Sequence, residues 1–200
     1  MGISSYNTRF AILANFDTRQ AIVALKPTIY KFNIALSDMD RHLYQTLNLT
    51  VAQHPSETIE RMMVRVLVYC INLDPQLEFC KGLSDTDEPD MWAKSLDGQI
   101  EKWIDIGEPS VERIKKASHL AKAASVYSFN SKSDVWWSQN RDTLAKLAVS
   151  IFQFDWREIQ PLVGLANRTI DFSLSLSENS AYISTDKRQY ELHWTVLQEK

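Results

Sequence analysis

Residues 90–106 read DMWAKSLDGQIEKWIDI, and the pairing within this stretch decides how the middle of the chain folds. Asp97-Gly98 is a strong hairpin signal, because both central residues of a type I′ turn need positive φ. With these two as the loop, Leu96 faces Gln99, Lys94 faces Glu101, Trp92 faces Trp103 and Asp90 faces Asp105. Side chains alternate across a strand, so the last three pairs share one face, while Met91 with Ile104 and Ser95 with Ile100 share the other. The opposite-charge pair and the aromatic pair contribute roughly 0.2–1 kcal/mol each, which favours this register. Directly opposed side chains have Cβ atoms about 4.5–5.5 Å apart, and like charges there are destabilising. Two aspartates are tolerated in that position when a cation or basic side chain lies between them, when one is protonated, or when the hairpin end is open to water.

Working outward, Thr28–Leu36 and His42–Val51 alternate around Ser37-Asp38-Met39-Asp40 and predict an antiparallel hairpin. Ile59, Met62, Met63, Val66, Leu67 and Cys70 form one apolar helical stripe, with Pro55 suited to the first position and His54 or Ser56 to the cap. Glu57, Glu60, Arg61 and Arg65 fall off that stripe, where (i, i+4) surface pairs are the plain alternative to a functional role. A strand at 77–81 and an acidic loop at 85–89 lead into the hairpin. Beyond it, Ser110 caps a helix with Val111, Ile114, Ala117 and Ala121 inward. Val126–Phe129 is a strand, Ser133 caps a helix carrying Trp136 and Trp137, and Leu147–Phe154 is a further strand. Residues 169–197 alternate and predict two or three antiparallel strands that close the fold.

The 200 residues, 44% hydrophobic and 24% charged, suit one compact domain with a full core. A formal net charge of -3 argues against a basic coat that grips nucleic acid unaided, but leaves room for a local patch. Arg113, Lys115 and Lys116 make such a patch near a helix start, where the helix dipole disfavours cations. Only 5 glycines are present, and no Gly-rich phosphate loop or GxSxG elbow is formed. The cysteines Cys70 and Cys80 are expected to be reduced. The absence of a membrane span or signal peptide leads to the expectation of a cytoplasmic protein with no membrane partner.

Several strings in order resemble the bacterial YaeQ family. They are His54-Pro55-Ser56-Glu57-Thr58 with Glu60-Arg61-Met62-Met63 and Arg65, Asp87-Glu88-Pro89-Asp90 with Trp92, and Trp103-Ile104-Asp105 with Gly107 and Pro109. Arg113-Ile114-Lys115-Lys116-Ala117 and Trp136-Trp137 complete them. Val23-Ala24-Leu25-Lys26 looks like that family's Met-Ala-Leu-Lys start, which implies an N-terminal extension at 1–22 ahead of a single domain at 23–200. The family is similar in fold to the PD-(D/E)xK nuclease superfamily, whose core runs helix, three strands, helix, strand. The same order is predicted for about 55–130.

The resemblance therefore implies an α/β, restriction-endonuclease-like mixed β-sheet flanked by helices, with added N- and C-terminal antiparallel strands. Pro89-Asp90 matches the PD motif, and Asp105-Ile106-Gly107 matches (D/E)xK with glycine in place of lysine. The function implied is a metal-dependent nuclease-like protein acting on nucleic acid phosphodiesters, or a non-catalytic nucleic-acid- or protein-binding module on the same fold. Asp90, Asp105 and Glu57 are the expected ligands of a divalent metal, Mg²⁺ by preference. Glu60 is the alternative acid, and Lys115 or Lys116 takes the catalytic lysine's role from the following helix.

Overall fold

The computed structural model describes residues 26–80 and 87–200. The predicted extension at 1–22, and with it Lys81 and the first residues of the acidic loop, lie outside the described residues. In chain order the elements are β1 (Thr28–Asp38), β2 (Leu43–Gln53), α1 (Ile59–Ile71), β3 (Leu77–Phe79), β4 (Met91–Lys94), β5 (Ile100–Ile106), α2 (Val111–Leu120), β6 (Ala121–Ser128), α3 (Ser133–Leu144) and β7 (Ser150–Phe154). Then come α4 (Trp156–Ile159), a 3₁₀ turn at Gln160–Leu165, β8 (Thr169–Ser177), β9 (Ser180–Ser184) and β10 (Gln189–Gln198).

All the described strands join one sheet in the order β2-β1-β8-β9-β10-β7-β6-β5-β4-β3. Pairing is mostly antiparallel, with β1–β8, β5–β6 and β6–β7 parallel. The result is a mixed α/β fold, a large sheet flanked by helices. The parallel strands β5–β7 are covered on both faces, whereas the parallel pair β1–β8 alternates between buried and exposed residues. One core, holding Phe32, Ile34, Met62, Val66, Ile104, Ile106, Phe154 and Leu192, runs along the α1 face of the whole sheet. A smaller core of Trp103, Ile114, Ala117, Val126, Leu144 and Ile151 lies on the other face, under α2 and α3.

Helix α1 starts with the stripe, at Ile59, and later than the expected cap at His54 or Ser56 and first position at Pro55. Thr58 is its N-cap, accepting from the Arg61 N–H, while His54 and Ser56 hydrogen-bond each other in the turn before it. Residues Met62–Val68 are all buried, including positions off the stripe, because this helix lies between the sheet and the 3₁₀ turn that carries Leu162. Such burial contributes about 1.5–3 kcal/mol per large apolar side chain, enough to carry Arg65 inside with its partner.

The hairpin turn is also different from the expected type I′. Among the described residues around it only Gly98 has positive φ (+83°), the Ser95 N–H donates to Gln99 O, and the Gly98 N–H donates to Ser95 O. This is a three-residue loop closed by a left-handed glycine. An odd loop alone would throw the tryptophans off register. Lys94 accordingly pairs with Ile100 instead of Glu101, and a bulge after Ala93 restores Ala93–Lys102, Trp92–Trp103 and Met91–Ile104. The displaced Glu101 pairs with Lys122 at 2.6 Å.

Further along, Ser133 opens α3 as its first residue, and its hydroxyl donates to Glu108 Oε1 at 2.5 Å in place of capping the helix. Trp136 and Trp137 are both half-buried, and the Trp136 indole donates to Pro109 O. The C-terminal stretch forms three antiparallel strands.

Candidate functional site

Asp90 and Asp105 sit where β4 and β5 leave their ladder, at the carboxyl end of the parallel strands. In open α/β sheets this is the edge where ligands bind. Both are buried, at 3% and 2% exposure. The ladder stops at Met91–Ile104. Beyond it the Asp90 N–H donates to Ile104 O, and Asp90 Oδ2 accepts the Ile106 N–H at 2.8 Å, so a side chain takes the backbone donor that a longer ladder would have used.

From that point the two carboxylates part company. Asp90 Oδ1 accepts from Arg61 Nη2 at 2.7 Å, and Arg61 projects from α1, which packs on the Ile104 and Ile106 face. Asp105 Oδ1 accepts from Arg113 Nη2 at 2.7 Å and Nε at 3.1 Å, and Oδ2 accepts from the Trp103 indole at 2.9 Å. Arg113 projects from α2, on the Trp103 face. The expected pairing of Asp90 with Asp105 on one face is not formed: the last ladder pair is Met91–Ile104, and the two carboxylates are neutralised by arginines of helices on opposite faces of the sheet.

Glu57 extends the network. Arg61 Nη1 donates to Glu57 Oε1 at 3.0 Å, and Arg65 meets both Glu57 oxygens at 3.1 and 2.8 Å while also donating to Ala52 O. Three buried acids and three arginines therefore balance in charge. Burial alone would lower the Arg61 pKa, but the charges and hydrogen bonds of Asp90 and Glu57 outweigh it and raise the pKa. For Asp105, burial dominates and raises the pKa, although Arg113 and the indole pull it down; the Asp90 charge adds a smaller push upward.

The other predicted site residues go elsewhere. Glu60 accepts weakly from Gln160 at 3.4 Å, and Lys116 pairs with Asp87 at 2.6 Å. Lys115 is exposed on α2, away from that helix's buried side, which Ile114 and Ala117 occupy. Gly107, standing where the motif's lysine would be, has φ of +99°, a backbone state that non-glycine residues rarely adopt. The arginines Arg61, Arg65 and Arg113 hold the acids together, and the Glu57, Arg61, Arg65 spacing is the signal that carries two of them.

A divalent ion does not fit this arrangement as it stands. Every oxygen of Glu57, Asp90 and Asp105 already accepts from a guanidinium, an indole or a backbone N–H. Among the described residues no three His, Cys, Asp or Glu side chains gather as a metal-binding group. The guanidiniums occupy the cation positions.

Next along the same edge, Glu108 accepts from the Phe129 and Asn130 N–H groups and fixes the loop after β6. That loop borders a polar cavity of about 650 Å³ that also involves Gln153, Asp155, Trp156, Glu158 and His193. The His193 ring lies between Glu158 (3.1 Å) and Glu191 (3.2 Å). Its hydrogen bond to Glu158 raises its pKa above the usual value. Among the described residues no helix is long and apolar enough to cross a membrane.

Comparison with known proteins places this site in a family. Residues 23–194 match the family described as YaeQ protein. The chain is 35% identical over 179 residues to YaeQ of Escherichia coli (strain K12), spanning 88% of this chain and 99% of that protein. The crystal structure of YaeQ from Xanthomonas axonopodis pv. citri superposes with a TM-score of 0.83 at 32% identity, covering 87% of this chain and 99% of the other. That of YaeQ from Pseudomonas syringae gives 0.83 at 34% identity, covering 87% and 97%. The chain belongs to the YaeQ family.

Proposed function

We propose that this chain is a nucleic-acid-binding module on a restriction-endonuclease-like fold, in which arginines stand where a nuclease would hold metal. The observation that carries this reading is the pairing of Asp90 with Arg61 and of Asp105 with Arg113. The Arg61 and Arg113 side chains keep 16% and 25% exposure at this end of the sheet. Buried acids fix the guanidinium planes in advance, and a preorganised fork suits phosphate oxygens better than a mobile one. Lys115 and Lys116, on the same helix as Arg113, add sequence-independent charge for the phosphodiester backbone. No resident metal takes part, and the acids act as positioning groups for the arginines.

A second reading, metal-dependent cleavage, is favoured by the burial of the acid pair at the carboxyl strand ends. It requires a Mg²⁺-type ion to displace Arg61 and Arg113. Anisotropy titrations with labelled single- and double-stranded DNA and RNA separate the two. The binding module predicts binding that survives EDTA, weakens with salt and falls several-fold in Lys115→Ala/Lys116→Ala, with the oligonucleotide intact. Cleavage dependent on Mg²⁺ or Mn²⁺ would establish the second reading. No binding to any of the four would reject both.

A further inference from the structure

Strand β2 lies at one end of the sheet order, and among the described residues nothing pairs with its outer edge. It is eleven residues long and joins β1 through eleven consecutive pairs without a bulge. Its sequence, LYQTLNLTVAQ, has no charged residue and no proline, in a chain that is 24% charged. Free edges are normally blunted by lysine, proline, bulges or shortness. The opposite edge, β3, follows that rule with three residues. Strand β2 uses none of these devices, and Tyr44 is 61% exposed on it.

The strand is also palindromic at its centre. Thr46-Leu47-Asn48-Leu49-Thr50 reads the same in both directions about Asn48. Leu47 and Leu49 point to the core side, opposite Ile34 and Phe32, and are only half-buried. Thr46, Asn48 and Thr50 point to the open face.

We infer that β2 pairs antiparallel with β2 of a second copy, about a two-fold axis through Asn48. In that register Leu47 meets Leu49 of the second copy, Thr46 meets Thr50, and Asn48 meets itself. Leucine lies against leucine and threonine against threonine, the pairs that stabilise a ladder. Any charge on a self-paired strand would lie close to its like, so the uncharged sequence fits this occupant. Both cores stay on the same side of the joined sheet. An eleven-residue ladder supplies about ten hydrogen bonds, near the number of a typical interface. The contact is isologous and therefore closes at a dimer.

The mass of the full chain in solution, followed by sedimentation over a range of concentrations, tests this. The wild type should shift from one chain to two as concentration rises, and Asn48→Lys should remain a single chain at the same concentrations. Because Asn48 is exposed, the variant's melting temperature should match the wild type's at concentrations where both are single chains, and the wild type's alone should rise with concentration. Asn48→Cys gives an independent measurement. Opposed strand positions lie within disulfide range, so mild oxidation should yield a covalent dimer, whereas Tyr44→Cys should not. A single-chain mass at every concentration would leave the edge to another occupant, either residues 1–25 of this chain or a different protein, and would overturn the inference. A dimer that persists in Asn48→Lys would place the interface elsewhere and overturn it too.

Discussion

Arg61 stands between Glu57 and Asp90, one Nη on each, 3.0 Å from Glu57 Oε1 and 2.7 Å from Asp90 Oδ1. One guanidinium thereby ties the segment before α1 to the start of β4, and its second bond from Nη2, to Ile106 O, ties in β5. Removing one partner of a buried pair leaves an uncompensated charge, which costs more than the pair contributes.

Arg61→Met should therefore lower stability by about 3–5 kcal/mol. Adding Glu57→Gln should cost less than the sum of the two single changes, because the orphaned charge is then smaller. Urea denaturation of the four proteins measures both. Strict additivity would show that Arg61 is not the link between the acids.

Asp105 gives a pH signature. Its folded pKa is raised by burial, so between the ordinary aspartate value and that raised value the folded state binds more protons than the unfolded one. Stability then falls as pH rises through that window. Asp105→Asn removes the titration and keeps an acceptor for the Trp103 indole. The variant should gain on the wild type as pH climbs from acid through the window. The opposite slope would mean that Arg113 outweighs burial at this carboxylate.

Gly107 tests the backbone constraint at the turn after β5. A Cβ there meets no atom within 4 Å, so space is not the constraint and the φ of +99° is. Gly107→Ala should cost about 1–3 kcal/mol through backbone strain alone, and Gly107→Lys a similar amount, since both residues share the same Cβ. Thermal melts of the two variants check this. A neutral lysine variant would show that the turn relaxes easily.

His193 should titrate above a free histidine because Glu158 holds its protonated form. Its small stabilisation is complete below the unfolded pKa and is lost as pH rises through the folded one. In an NMR titration, Glu158→Gln should move the His193 midpoint downward. An unmoved midpoint would assign the shift to Glu191 instead.

Much of the fold was legible because it rests on period and order. The Trp92–Trp103 register follows from the hairpin, and the three C-terminal strands follow from alternation. The turn type was not, because an odd loop and a bulge cancel, and pairing at the tryptophans is the same either way. The burial of Val64, Arg65 and Val68 was hidden for a related reason. A single apolar stripe assumes one covered face, whereas α1 is covered by the sheet on one side and by the 3₁₀ turn at Gln160–Leu165 on another. At the site, strand spacing brought Asp90 and Asp105 to the same end of the hairpin, but neither the end of the ladder before them nor their neutralisation could be read. The neutralisation depends on Arg61 and Arg113 reaching in from helices on opposite faces, a property of packing between segments distant in sequence.

Strand β10 spans both halves of the sheet, pairing with β9 through Gln189–His193 and with β7 through Trp194–Gln198. On the ribosome, then, the hairpin β1–β2 and the layer that carries the two aspartates emerge first and wait as separate pieces, with β1 lacking β8 and β7 lacking β10. Strand β10 joins them. A nascent chain arrested before Trp194 should stay open to protease, and extension through Gln198 should convert the sheet to its protected form.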